Sequence, residues 1–324
     1  MLLTAKMMVA ILFGSICTIF AGREVFVVAP NDLEHTEGNS FDLFPFLIQQ
    51  TSEPSMRYQQ VYDASQFSAV SLPGAYITYL FLRPDGASEG AIGSTTNIQI
   101  NFSTTHKVPD SLSSVFSENV GADDTVAFGP DSLSFGSFDS SGSPKFWDVQ
   151  IRLTTPFWYN PTLGNLLLEV RIRRWAAPII GNVSLDCQSV ASDSVSRAYA
   201  PSVDAISATQ VDSLGLVTAF FFSPLPTLQI QQTTNSTTNC IVITWPVRPD
   251  IFVLQSTDKI GSQSNWRQVT NQIVETPPLR TLTFPRDSLG VTKFFRLIWE
   301  SGRPASQGSV APPLESKLIT PNTH

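Results

Sequence analysis

The clearest order in this chain is a two-residue alternation of apolar and polar side chains. Trp147, Val149, Ile151 and Leu153 fall on one face and Asp148, Gln150 and Arg152 on the other. Leu166, Leu168, Val170 and Ile172 repeat the pattern, with Glu169 and Arg171 opposite. A strand turns successive side chains to opposite faces, so each run predicts a strand with one face in a core. Between the runs, Phe157, Trp158 and Tyr159 sit between Pro156 and Pro161. That stretch reads as a loop, and the two strands it joins are expected to pair as antiparallel neighbours.

Similar short segments recur at "EVFVVA", "YITYLFLR", "NIQINFS", "DTVAFG" and "GLVTAFFF", each bounded by Gly, Pro, Asn, Asp or Ser. No long amphipathic helix pattern occurs. Helical turns are expected only at "DASQFSAV" and "PDSLSSVFSENVG", with Asp110 capping the second and Gly121 following its end. Many short strands separated by turn residues predict an all-β chain built as a sandwich or jelly roll.

Pro224 and Pro226 interrupt the strand pattern and suit a short extended linker. Beyond them "CIVITWP", "IFVLQSTD", "WRQVT", "RTLTFP" and "KFFRLIWE" read as a second, smaller β-sandwich, immunoglobulin- or fibronectin-like, with Trp245 and Trp266 as core anchors. The expected organisation is a signal peptide over 1–21, a jelly-roll-like sandwich over 22–222, a linker over 223–228, the smaller sandwich over 229–300, and a tail over 301–324. The tail is rich in Pro and Ser with little apolar mass, and is expected to be disordered.

The first segment changes the picture of where the chain works. One cation at Lys6, an apolar run from Met7 to Ile16 and a small-residue site ending at Ala21 have the three-part form of a secretory signal peptide. The run is shorter than the roughly 20 residues a membrane span needs, so cleavage is expected and no span is expected to remain. Charged residues are 15% of the chain, against about 25% in ordinary soluble domains, which suits an extracellular β protein. The formal net charge is −7, and no basic cluster exceeds "RIRRW", so the electrostatic footprint of a nucleic-acid binder is missing. In an oxidising compartment Cys187 and Cys240 either bridge the two units or stay as buried thiols, and sequence leaves both open.

Two resemblances follow from these segments. "MRYQQVYDASQF", "TTNIQINFSTT", "SENVGADDTVAFG", "FWDVQIRLTTPFWYNPTLGNLLLEVR" and "DSLGLVTAFFF" together resemble a domain of exported proteins in exosortase-bearing bacteria, whose members often end in a PEP-CTERM sorting anchor. No Pro-Glu-Pro motif with a terminal apolar helix and basic cluster is present here. "ITWPVRPDIFVLQSTDKIGSQSNWRQVTN" with "KFFRLIWE" resembles a fibronectin type III-like terminal module of secreted proteins in Verrucomicrobia-like bacteria. The resemblances imply an exported or surface-associated protein and carry over no catalytic residue.

Candidate chemistry is sparse. His35, His106 and His324 lack a G-x-S-x-G elbow, and H-E-x-x-H and C-x-x-C patterns are absent. Glu169 could serve one side of a glycosidase cleft, but beside Arg171 on a regular strand a cross-strand pairing role is simpler. Asp123 and Asp124 are the candidate ligands for a hard cation such as calcium, the only cofactor entertained; an aspartate turn bonding its own backbone is the competing reading. Trp158 and Tyr159 are the candidate ligand-binding pair, since flat rings stack on sugars. Large rings also close the open end of a sandwich, and that plugging role is expected. The expected function is therefore an exported, non-enzymatic structural or adhesive protein whose partners are extracellular polysaccharide or other surface proteins. A polysaccharide-binding module and a carbohydrate-active hydrolase are the alternatives.

Overall fold

The computed structural model describes residues 24–46, 55–88, 91–137, 142–175, 184–224, 226–235, 238–246, 252–259, 261, 265–270, 272–276, 279–285 and 293–299. The expected signal peptide and the expected disordered tail lie outside the described residues. Within them the chain is all-β, with antiparallel sheets and three short 3₁₀ turns. No helix among the described residues is long and apolar enough to cross a membrane.

The first thirteen strands are β1 (Val25–Ala29), β2 (Ser40–Asp42), β3 (Met56–Tyr62), β4 (Ala75–Leu82), β5 (Ala91–Thr105), β6 (Thr125–Ser137), β7 (Val149–Tyr159), β8 (Asn165–Trp175), β9 (Leu185–Ser189), β10 (Val195–Ala200), β11 (Gln210–Asp212), β12 (Leu214–Leu216) and β13 (Thr218–Ser223). They form a four-stranded sheet β1-β13-β4-β7, a six-stranded sheet β11-β10-β3-β8-β5-β6 and a three-stranded sheet β12-β9-β2. The inner faces of the four- and six-stranded sheets share one core, in which Ile77, Leu80, Phe220 and Phe222 meet Tyr58, Tyr62, Ile100, Phe102 and Leu168. Burial of these side chains is the main stabilising term, at about 25 cal/mol per Å² of apolar surface.

The two alternating runs form strands but do not pair with each other, and Trp147, expected on the core face of the first run, precedes β7 and packs with Phe26 on the outer side of the small sheet. β7 lies at the edge of the small sheet beside β4, whereas β8 lies inside the large sheet between β3 and β5. The chain crosses the sandwich between them, through residues 160–164. The physical reason is in the pattern itself: each run has one apolar face, and facing sheets bury both faces against each other as well as a hairpin would. The polar face of β8 is not solvated either. Phe116, Leu112, Val61, Leu167, Ala198 and Ala200 form a second apolar cluster over the outer side of the large sheet.

Of the two expected helical turns, Ala64–Phe67 is a 3₁₀ turn capped by Asp63, whose carboxylate accepts from the Ser65 amide at 2.9 Å. The other begins later, at Phe116–Glu118, and Asp110 does not cap it. Asp110 instead adopts φ 61° and accepts from the Ser192 amide at 2.6 Å, tying two loops together.

Beyond residues 224–228 come β14 (Gln229–Asn235), β15 (Thr238–Pro246), β16 (Phe252–Thr257), β17 (Arg267–Gln268), β18 (Val274–Thr276), β19 (Leu279–Pro285) and β20 (Phe294–Trp299). Sheets β14-β15-β19-β18 and β17-β16-β20 enclose a separate core of Ile243, Trp245, Leu254, Leu282, Phe295 and Leu297. Trp245 is the buried anchor expected of it. Trp266 is not: half-buried, it lies under the guanidinium of Arg296, 4.2 Å from the ring centroid. Cys187 is buried in the first core and Cys240 lies in β15, and no disulfide joins them.

Candidate functional site

The stretch expected to be a loop is the end of β7. Pairing with β4 continues through it, with Ile77 opposite Phe157, Tyr76 opposite Trp158 and Ala75 opposite Tyr159. Pro156 falls in an irregularity between Arg152 and Phe157, where the ladder skips and a missing amide costs nothing. Alternation then separates the trio. Phe157 and Tyr159 turn inward and are buried, and Trp158 turns outward and is half-buried. Tyr159 meets Phe67 edge-on at 5.0 Å and donates its hydroxyl to the Gly164 carbonyl at 2.9 Å. Gly74 permits the approach: it has φ 127°, and a Cβ there would lie 2.5 Å from the Tyr159 carbonyl oxygen.

Trp158 packs edge-on against Tyr76, with ring centroids 5.1 Å apart and planes at 67°. Tyr76 in turn packs against the core of the second unit and faces Phe252 at 6.0 Å. Burial pushes the Tyr76 phenol above its usual range. Trp158 and Tyr159 are thus not one surface: Tyr159 fills the first core and Trp158 flanks the junction of the two units.

Glu169 is the best-placed carboxylate of the strands, and the structure gives it charged partners. Its Oε1 accepts from Arg57 at 2.6 Å and from Arg171 at 2.8 Å, and it is 2% exposed. Arg57 also donates to the Ala205 carbonyl at 2.9 Å and stacks on Phe116 at 4.5 Å. Glu169 Oε2 is buried and accepts no hydrogen bond among the described residues. The two guanidiniums tie the carboxylate into an ion-pair network within the large sheet.

Asp123 and Asp124 are both exposed, and their carboxylates bond to distant chain, while within the turn the Asp123 carbonyl accepts from the Thr125 hydroxyl and the Asp124 amide donates to the Gly121 carbonyl. Asp123 accepts from the Thr104 amide at 2.7 Å, and Asp124 accepts from the Asn101 amide group at 3.0 and 3.1 Å. Partial burial raises the Asp124 carboxyl, with the Asn101 bond opposing and the Glu169 charge adding. No group of three or more His, Cys, Asp or Glu side chains among the described residues is arranged to hold a metal. His35 and His106 are exposed; His324 lies outside the described residues.

Two buried clamps escaped the sequence reading. Arg83 pairs with Asp186 at 2.6 Å, both essentially without solvent exposure, and Arg83 also donates to the carbonyls of Leu33 and Thr36. Burial raises the Asp186 carboxyl, opposed by Arg83. Arg197 joins Asp42 and Asp212, tying β10 to its neighbour β11 and to β2 of the three-stranded sheet. The signal was there to find: Arg83 follows "YLFL" and Asp186 follows "VSL", single charges ending apolar runs.

The outer face of the small sheet carries a row of rings. Phe26 pairs with Phe221 and Phe221 with Tyr79 in register, and Phe81 and Trp147 adjoin them. Phe26, Tyr79, Phe221 and Trp147 are half-buried. The rings meet at mixed angles, 88° for Tyr79 with Phe221, 73° for Phe26 with Trp147 and 19° for Tyr79 with the buried Phe81. Among the half-buried rings these angles make a packed patch rather than a coplanar row.

Compared with known families, curated proteins and solved structures, the chain matches none.

Proposed function

We propose that the chain is an exported, non-enzymatic protein of the cell surface or extracellular matrix with a structural or adhesive role. The observation that carries this reading is the Glu169 clamp. Glu169 is held by Arg57 and Arg171, and Asp124, the carboxylate whose charge interacts with it, is bonded to Asn101, so both acids are taken up in bonds within the fold. The buried charges at Arg83 with Asp186 and at Arg197 with Asp42 and Asp212 serve the same internal purpose, holding loops against strands. The signal-like N-terminus, the low charge content and the resemblance to exported bacterial domains add the compartment.

Removing the gene from the producing bacterium is expected to weaken attachment or matrix cohesion, with the protein recovered from the surface or medium of the parent. Hydrolysis of a glycan by the purified chain, lost in Glu169→Gln, would overturn the reading.

Polysaccharide binding is the second reading, favoured by the half-exposed rings of Phe26, Tyr79 and Phe221 beside the exposed Gln150. Retention of the full chain on insoluble polysaccharide, abolished by Tyr79→Ala with folding intact, would select it over a purely structural role.

A further inference from the structure

Two rows of side chains cross the outer face of the small sheet. In the first, Phe26 of β1, Phe221 of β13, Tyr79 of β4 and Arg152 of β7 are neighbours in register. In the second, Ser223, Tyr76 and Trp158 are neighbours on β13, β4 and β7. On a regular strand Tyr76 and Tyr79 would face opposite ways. The irregularity between Ile77 and Tyr79 inserts Thr78, whose hydroxyl donates to the Phe221 carbonyl at 3.2 Å, and so brings both tyrosines to the outer face. The two rows then lean in opposite directions. Tyr79 and Phe26 pack back onto Phe81, at 5.8 and 5.5 Å, in the cluster that Leu33 joins. Tyr76 packs on Trp158 and on Phe252 of the second unit. The rings of both rows are half-buried and keep part of their surface in solvent.

We propose that the trough between these rows, beside the second unit, binds a single strand of a neutral polysaccharide. The inference rests on the polysaccharide-binding reading above and adds where the glycan lies and in what form. Clefts where two units meet are common ligand sites. β1 and β7 are the edge strands of the sheet, so the trough runs from edge to edge and admits a polymer in passage. It crosses three strand spacings, about 14 Å, room for a short run of sugar units. Its floor offers rings and no backbone partners, because the amides and carbonyls of β13 and β4 are taken up in their ladders. An extended peptide laid there would leave its own amides unmatched. A sugar instead sets its C–H face on a ring and turns its hydroxyls to water, or to Gln150 and Arg152 at the β7 end. Arg152 is the one charged residue in the two rows, which favours a neutral chain. Tyr79 and Phe221 stand at 88° and Tyr76 and Trp158 at 67°. Rings so tilted match the changing faces of one twisted strand and not the flat face of a crystalline fibre.

The test is affinity electrophoresis of the full chain in native gels, each holding one soluble neutral polysaccharide: hydroxyethylcellulose, xyloglucan, laminarin or galactomannan. Retardation by at least one is expected, weakened roughly tenfold or more in Tyr79→Ala and in Trp158→Ala, one ring from each row. Trp266→Ala, which removes the ring under Arg296, is expected to run as the parent does. Thermal melts check that each variant folds, and Tyr79→Thr or Trp158→Thr replaces an alanine variant that does not. Loss in the Tyr79 variant but not the Trp158 variant, or retention of the parent on crystalline cellulose, would overturn the trough and leave polysaccharide binding standing. Retardation by none of the four would overturn both. Dimers in light scattering that Tyr79→Ala dissolves would also overturn the trough, by assigning this face to a second copy of the chain.

Discussion

The ring of Tyr76, in β4 of the first unit, lies 6.0 Å from the ring of Phe252, in β16 of the second, at an angle of 57°. The linker is short, and Thr227 and Leu228 are themselves buried. The two cores therefore touch through a side chain as well as through the backbone. Tyr76→Ala is expected to cost about 1–3 kcal/mol, less than a full core deletion because the ring is only partly buried. Calorimetry of the parent is expected to show closely overlapping transitions, and of the variant two separated ones. Limited proteolysis at residues 224–228 should quicken in the variant; unchanged cleavage would argue against the joint.

The three neighbouring rings of β7 should respond in alternation. Tyr159→Ala and Phe157→Ala remove buried rings and are expected to cost about 3–5 kcal/mol each. Trp158→Ala, although it deletes the largest side chain, is expected to cost no more than about 2 kcal/mol, because that ring is half-buried. Urea midpoints of the three variants check the order, and a Trp158 loss equal to that of Tyr159 would contradict it.

Asp186→Ala is expected to destabilise by about 3–5 kcal/mol, since it leaves the Arg83 guanidinium buried with backbone carbonyls and the Trp147 ring but without its counter-charge. Replacing both partners by apolar residues of similar size should recover much of the loss. A double variant as unstable as the single one would show that Arg83 matters through its carbonyl bonds, not its charge pair.

Asp193 gives the pH dependence an unusual sign. Burial pushes its carboxyl up to about 6, with the neighbouring Asp110 and Asp32 charges adding and the Val195 amide opposing. Its folded value lies above its ordinary unfolded value of 3.8, so the native state holds the proton more tightly. This group's contribution is then most favourable below the unfolded value and is lost as pH rises through about 6. Asp193→Asn keeps the acceptor for Val195 and is expected to raise the melting temperature at pH 7 while flattening the slope between pH 4 and 7. A steeper slope in the variant would refute the assignment.

Cys187 should be inert while the chain is folded. Burial, reinforced by the Asp186 charge, holds its thiol well above the ordinary range, and the thiolate is the reactive form. A thiol reagent at pH 8 is expected to label it only after denaturant is added. Rapid labelling in native buffer would mean that the core opens there.

What could be seen beforehand depended on whether a strand kept one wet face. β4, β5, β7 and β13 announce themselves because apolar residues alternate or run together. β3 does not, although it is central: Gln59 and Gln60 are buried and Arg57 is half-buried, and their polar groups are satisfied inside. Gln60 exchanges two bonds with the Leu216 backbone, at 2.9 and 2.8 Å, and Gln59 bonds Asn119 and Phe116. A polar residue that finds its partner across the fold looks, in the sequence alone, like one that faces water. Glu169 misleads in the same way. The alternation correctly put it beside Arg171 and gave no hint that loops from residues 105–124 and 200–209 would cover that face. Partner strands were harder still, because β7 and β8 share a pattern that fits both a hairpin and two facing sheets.

The pairing of β1 with β13 sets Val27 against Phe220 and closes the small sheet with strands from opposite ends of the first unit. A growing chain therefore carries β1 without its partner until residues 218–223 have been made. Closure of so long a loop is slow compared with local pairing, and the unit stays open for most of its synthesis. An unfinished sheet of this kind is what a translocation channel can thread, whereas a sheet built from neighbouring hairpins would begin to lock as it emerged.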